Sequence, residues 1–152
     1  YDLQLENYIR NNLGIKNYKI NFTERGAIPL FHPLVKNNKK TVYIGSAGGM
    51  TRLSTGYTFL NIQEHSKYIV ENIDKIEKIK MYNIGKKYQF LDKIFLRVLK
   101  NNPDKMPKIF FEMFKASSSC VIKFLSNKSN IFEDINIIRR MPKLIFMRAL
   151  FH

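Results

Sequence analysis

The sequence predicts an α/β fold, or α+β for this stretch taken by itself, with strands in the first third and helices filling the remainder. Three observations point there. Short apolar runs, alternating or continuous, occur before residue 45; a glycine-rich turn follows the last of them; and beyond Ser54 the apolar period changes to 3.6 and stays there. A chain of 152 residues with ample apolar and aromatic content can close one core.

The elements follow in order. Residues 1–13 read as a helix, with Leu5, Tyr8, Ile9 and Leu13 on one face and Gly14 placed to end it. Tyr18, Ile20 and Phe22 then alternate with polar residues, and a turn at Gly26 leads into the apolar Ile28-Pro29-Leu30-Phe31, which is strand chemistry. After a solvated Lys/Asn loop at 36–40, Thr41-Val42-Tyr43-Ile44 reads as a buried strand feeding a glycine turn. Helices are expected at 54–80, 87–101, 104–126 and 130–150. The third breaks near Ser117-Ser118-Ser119 and the last is interrupted by Pro142. Asn101-Asn102-Pro103 is a helix boundary, because the residues on both sides remain periodic. The chain opens at Tyr1, without Met, in a stretch that already looks helical, so it is expected to be a fragment of a polypeptide that extends upstream.

Charge and cysteine bound the partners. Twenty-six Lys and Arg against twelve Asp and Glu give a formal net charge of +14, which in general suggests phosphate on nucleic acid or on lipid headgroups. The cations are mostly Lys and come with abundant Asn and Ile, a mixture that an AT-biased coding sequence produces unselected, so about half of the excess is discounted. A single Cys120 excludes an internal disulfide and suggests a reducing compartment. No run reaches the roughly 18 apolar residues that span a bilayer, so any membrane contact is expected to be peripheral. His32, His65 and His152 share no metal-ligand spacing with one another or with Cys120, so no metal site is expected. The serine tract at 117–119 has no base nearby in sequence, and no Gly-x-Ser-x-Gly elbow occurs.

Chemistry concentrates in Ile44-Gly45-Ser46-Ala47-Gly48-Gly49-Met50 and the following Ser54-Thr55-Gly56-Tyr57. A strand that ends in glycines and enters a helix offers bare backbone N–H groups where the helix dipole also favours negative charge, which makes an anion seat. The bland alternative is a tight strand-to-helix turn with Ser54 as the cap, and glycine count alone leaves the two evenly weighted.

The string Glu24-Arg25-Gly26-Ala27-Ile28-Pro29, followed after a loop by Ile-Gly-x-Ala-x-Gly-Met and then Ser-Thr-Gly-Tyr, resembles the lycopene beta-cyclase family in order and spacing. The opening Tyr1-Asp2-x-x-Leu5-x-x-Tyr8-Ile9 and the tail around Phe132-Glu133-Asp134 resemble bacterial members, so the likeness covers essentially the whole chain. It implies the carboxy-terminal portion of a Rossmann-type FAD flavoprotein: the end of a substrate-binding domain at 1–40, the last strand and helix of the FAD-binding domain at 41–80, and a helical region at 81–152. Gly-x-Gly-x-x-Gly, the usual seat of the adenine end, does not occur. The resemblance implies reduced FAD, held at Gly45, Ser46, Ala47, Gly48 and Gly49 and, nearer the ring, at Thr55, Gly56 and Tyr57, with NAD(P)H as electron donor. Ser46 stands where many related flavoproteins carry an Asp, and Arg52-Leu53 stands where plant relatives carry His-Pro.

The implied reaction is redox-neutral closure of ionone rings on lycopene or a related linear carotenoid by an acid, with reduced flavin stabilising the cation. Glu24 is the one carboxylate on a matching motif position, and its acidity would suit the role in an apolar pocket. The family's stronger acid candidate is expected just upstream of Tyr1. The resemblance places the protein in the cytoplasm, peripheral on the inner face of the membrane. Apolar clusters such as Ile109-Phe110-Phe111 and Leu144-Ile145-Phe146-Met147 among lysines and arginines suit a helix lying on anionic lipid, or else a core. Expected partners are the carotenoid, that membrane surface and the amino-terminal half of the same chain, with no nucleic acid. The competing readings are another flavoprotein of this broad fold, such as a prenyl reductase or hydroxylase, and a non-enzymatic basic module that binds membrane or nucleic acid.

Overall fold

Helices α3 (Lys86–Asn101), α4 (Met106–Phe114), α5 (Ser118–Leu125), α6 (Ile131–Ile138) and α7 (Lys143–Phe151) form the body of the molecule; α1 (Asp2–Asn7) and α2 (Phe59–Glu71) precede them. The structure, a computed structural model, describes residues 2–27, 30–32, 38 and 40–151.

Each helix has a local cause. In α3, Tyr88, Asp92, Phe95 and Val98 follow the helical period and are all buried on one face. A 3₁₀ turn at Pro103–Lys105 leads into α4, whose first turn carries Pro107, where a missing N–H costs nothing. The break expected at the serine tract is a cap: the Ser117 hydroxyl accepts from the Cys120 amide and starts α5. At α6, Asn130 and Glu133 form a reciprocal capping box. Pro142 separates α6 from α7. Val98, Ile109, Met113 and Ile137, each 1% exposed, sit at the centre of the core that these helices enclose.

The strands expected in the first third do not form among the described residues. Among the described residues there is no strand, and the fold is mostly helical instead of α/β. Tyr18, Ile20 and Phe22 lie in an irregular stretch with their side chains exposed. Of the 28–31 segment, Ile28 and Pro29 lie outside the described residues. Thr41 exchanges two backbone hydrogen bonds with Asn38, at 3.0 and 3.3 Å, in a tight turn, and 42–44 continue as irregular chain. The reason is general: a strand needs a second strand to satisfy its N–H and C=O groups, whereas a helix satisfies its own.

The helix expected over 54–80 begins later and stops sooner. It starts at Phe59, after a second glycine turn, and ends at Glu71, followed by a 3₁₀ segment at Ile73–Lys78. At the amino end, α1 widens into a π-type turn over Tyr8–Asn12 that closes at Gly14, where φ is +69°. None of the side chains of residues 2–27 is buried.

Candidate functional site

The glycine segment folds as two consecutive closed turns. In the first, the Gly48 and Met50 amides both donate to the Gly45 carbonyl, at 3.1 and 3.0 Å, and the Gly49 amide donates to the Ser46 carbonyl at 3.1 Å. Gly45 and Gly49 have φ near +70°, and a Cβ on Gly48 would stand 2.4 Å from the Tyr43 carbonyl oxygen, so the glycines are required by the turn itself. In the second, the Thr55 and Gly56 amides donate to the Arg52 carbonyl, and the Arg52 amide donates back to Tyr57. Hydroxyls of Ser46, Thr51 and Thr58 link the two turns, and Asn61 of α2 donates to the Met50 carbonyl at 2.8 Å.

Arg52 anchors these turns to the bundle. Its side chain is fully buried, its Nε lies 3.0 and 3.1 Å from the two Asp92 carboxylate oxygens, and its Nη2 lies 2.6 Å from Oδ1. Its Nη1 donates to the Phe124 carbonyl at 2.6 Å and to Asn127 Oδ1 at 3.1 Å. Asp92 also accepts from the Leu53 amide and from the Ser54 hydroxyl. The guanidinium lies over the rings of Tyr88 and Phe124 at 4.8 and 5.1 Å. A charge pair this deep is tolerable only because every oxygen and nitrogen facing the interior has a partner; removing one member strands the other. Ser54 therefore serves Asp92 and does not cap α2, whose cap position is Thr58, with no side-chain cap bond.

A second layer lies behind the turns. Asn127 closes α5 with φ +63° and donates to Asn61 Oδ1 and to the Tyr82 hydroxyl. Buried His65 lies between the rings of Tyr68 and Tyr82, with centroids 5.5 and 5.6 Å away, and its Nε2 has no hydrogen-bond partner. Burial pushes the His65 pKa down, favouring the neutral ring, and pushes the Tyr82 hydroxyl up.

Of the residues expected to hold flavin, the structure brings Gly45, Ser46, Ala47, Gly48, Gly49, Thr55, Gly56 and Tyr57 together in these two turns. Most of their amides are already used: the Gly45 amide points at Met50 Sδ, the Tyr57 amide donates to Thr55 Oγ1, and only the Ser46 and Ala47 amides remain without a partner among the described residues. Two open amides at a partly exposed apex fit a single contact with a phosphate or ribityl oxygen, not a full phosphate cradle. Glu24 lies in the exposed stretch, and among the described residues no hydrogen bond or ion pair ties residues 16–27 to the rest of the chain. The structure thus does not bring Glu24 to the turns or into an apolar pocket. Sequence reading missed Asp92, Asn61 and Asn127. The signal for Asp92 was present, since it is a carboxylate on the apolar stripe of an amphipathic helix.

Outside the site, large apolar side chains are exposed on the carboxy-terminal helices, among them Phe111, Phe114, Phe132, Leu144 and Phe151. Lys105, Lys108 and Arg140, with Glu112, line an open groove over Ile109, Pro142 and Ile145. Among the described residues, no helix is long and apolar enough to cross a membrane.

Comparison with curated proteins and with solved structures gives no match. The family model described as lycopene cyclase protein matches residues 1–151, and the chain belongs to that family of carotenoid cyclases.

Proposed function

We propose that the chain is the carboxy-terminal part of a lycopene beta-cyclase that closes beta-ionone rings on the ends of lycopene without net oxidation or reduction. The observation that carries this reading is the match over residues 1–151, together with a motif that folds into two linked turns anchored on a buried ion pair. In the reaction an acid adds a proton to one carbon of a terminal alkene and leaves a cation on its neighbour. A double bond further along the chain attacks that carbon, the new C–C bond closes the ring, and loss of a proton restores an alkene. Atoms and electrons balance with no oxidant.

The chain's own residues have distinct tasks in this scheme. Glu24, the one carboxylate of this chain on a matching motif position, is its candidate proton donor, although the structure leaves it exposed and apart from the turns. Arg52 and Asp92 fix the two turns, so that Ser46 and Ala47 present their amides, and Gly45, Gly48, Gly49, Thr55, Gly56 and Tyr57 form the bare surface around them. Reduced FAD, when bound there and kept reduced by NAD(P)H, supplies negative charge against the cation. Residues 1–40 belong to the substrate-binding domain, 41–80 to the Rossmann-type FAD domain and 81–152 to a helical region that rests on anionic lipid. Exposed Phe111, Phe114 and Leu144 beside Lys108, Lys143 and Arg148 support that last assignment.

The test is expression of the whole reading frame that encodes this chain in a lycopene-accumulating bacterium, followed by chromatography of the pigments. Cyclic carotenes should replace lycopene, and Glu24→Gln should cut their yield by about 10²-fold or more, the usual contribution of a positioned acid. Unchanged lycopene, with carotenoid-dependent oxidation of bound flavin, would turn the reading to a prenyl reductase.

A further inference from the structure

The second glycine turn, through Ser54 and Thr55, forms one wall of an apolar cleft. The cleft has a volume of about 220 Å³ and lies between helices α3 to α7, with Ser54 and Thr55 at one side. Phe90, Phe95, Phe124 and Phe146 line it together with Met113 and Met141. Its two polar side chains are already engaged: the Ser54 hydroxyl donates to Asp92, and Thr55 Oγ1 accepts from the Tyr57 amide. A ligand with several hydrogen-bonding groups would lose its water here and find at most the Thr55 hydroxyl in return, whereas a hydrocarbon loses nothing. The volume is below the roughly 300–1,000 Å³ of sites that enclose a whole drug-sized ligand, so the cleft suits one end of a longer molecule. Its mouth is apolar too, because Phe90, Ile138 and Leu150 line the cleft and remain substantially exposed, which lets an apolar chain continue outward.

We propose that this cleft seats the methyl-branched hydrocarbon end of the linear substrate, with the aromatic wall around the carbons that become cationic. The assignment rests on the cyclase reading for the identity of the substrate and on the geometry for its place. Phenylalanine faces suit the chemistry, since their negative quadrupole attracts positive charge and their carbons offer no nucleophile to trap it. The turn that carries Thr55, Gly56 and Tyr57 stands at the cleft wall, so the end group and the proposed flavin contact share one short segment of backbone.

The methionines report on this directly. With ¹³C-methyl methionine in the chain, titration with an acyclic ten-carbon methyl-branched diene should shift the Met113 and Met141 methyl signals saturably and leave Met50, Met81 and Met147 in place. Ile138→Trp, which fills the mouth from α6, should weaken that response about tenfold or more. Leu150→Trp serves the same purpose from α7 if the first variant loses its folded spectrum. Silence at Met113 and Met141, equal shifts at all six methionines, or a response that neither tryptophan weakens would overturn the site. So would self-association that the tryptophans abolish, because a second copy would then occupy the cleft. The two readings fail separately: cyclisation without a methyl response sinks this site alone, and a methyl response in a protein that cyclises nothing sinks the cyclase reading alone.

Discussion

Residues 2–27 and residues 41–151 use similar apolar side chains to opposite ends. In the first stretch Leu3, Leu5, Phe22 and their neighbours face outward, and among the described residues the contacts that hold it are local, the helical turns over 2–15 and the Glu6–Arg10 ion pair. In the second, Val98 of α3, Ile109 and Met113 of α4 and Ile137 of α6 share one core, and the glycine turns, which have little apolar surface of their own, are fixed by Arg52 and Asp92. Apolar residues stabilise only where a partner face exists. A segment without one is held by specific polar contacts or not at all.

The comparison breaks most sharply at the ion pair. Asp92→Ala should cost about 3–5 kcal/mol of stability by stranding the Arg52 guanidinium. The pair Arg52→Met with Asp92→Leu should cost less than Asp92→Ala alone, since neither charge is then left buried and unpaired. Urea unfolding of the wild type, Asp92→Ala and the double variant checks this, and a loss in the double variant as large as that of Asp92→Ala or larger would contradict it. By contrast Phe22→Ala should change stability by no more than about 0.5 kcal/mol, because its ring is 79% exposed.

Between those extremes stands His65. Its lowered pKa means that the unfolded chain takes up a proton at this residue before the folded chain does. Its contribution to stability is therefore complete above about pH 6.5, the ordinary histidine value, and is lost progressively as pH falls through that value toward the lower folded one. Urea midpoints measured from pH 8 to pH 5 should decline on the acid side, and His65→Phe should flatten that part of the decline.

The same contrast explains what was legible. Helix positions from 86 onward follow from period, caps and prolines, which are local; Ser117, Asn130 and Pro142 mark their boundaries in the sequence. The strands rested on alternation alone at Tyr18, Ile20 and Phe22, and alternation describes a face without supplying the neighbour that a strand requires. The glycine turns were legible as a place where bare backbone is needed. Their need is largely internal, since the Gly48 position is closed off by Tyr43 and not by a ligand. Arg52 read as a departure from the plant pattern, yet it is the residue around which the turns are built. Its partner lies 40 positions away, at a distance no short motif can register.

Native-state amide hydrogen exchange tests the central claim, that the glycine turns belong to the bundle's cooperative unit while the amino-terminal stretch does not. The Gly49, Met50, Arg52 and Gly56 amides should exchange with the same protection as those of α3, and Asp92→Ala should release them. Residues 16–27 should exchange at the unprotected rate in both proteins. Unprotected turns in the wild type, or turns as protected after Asp92→Ala as before it, would contradict the account.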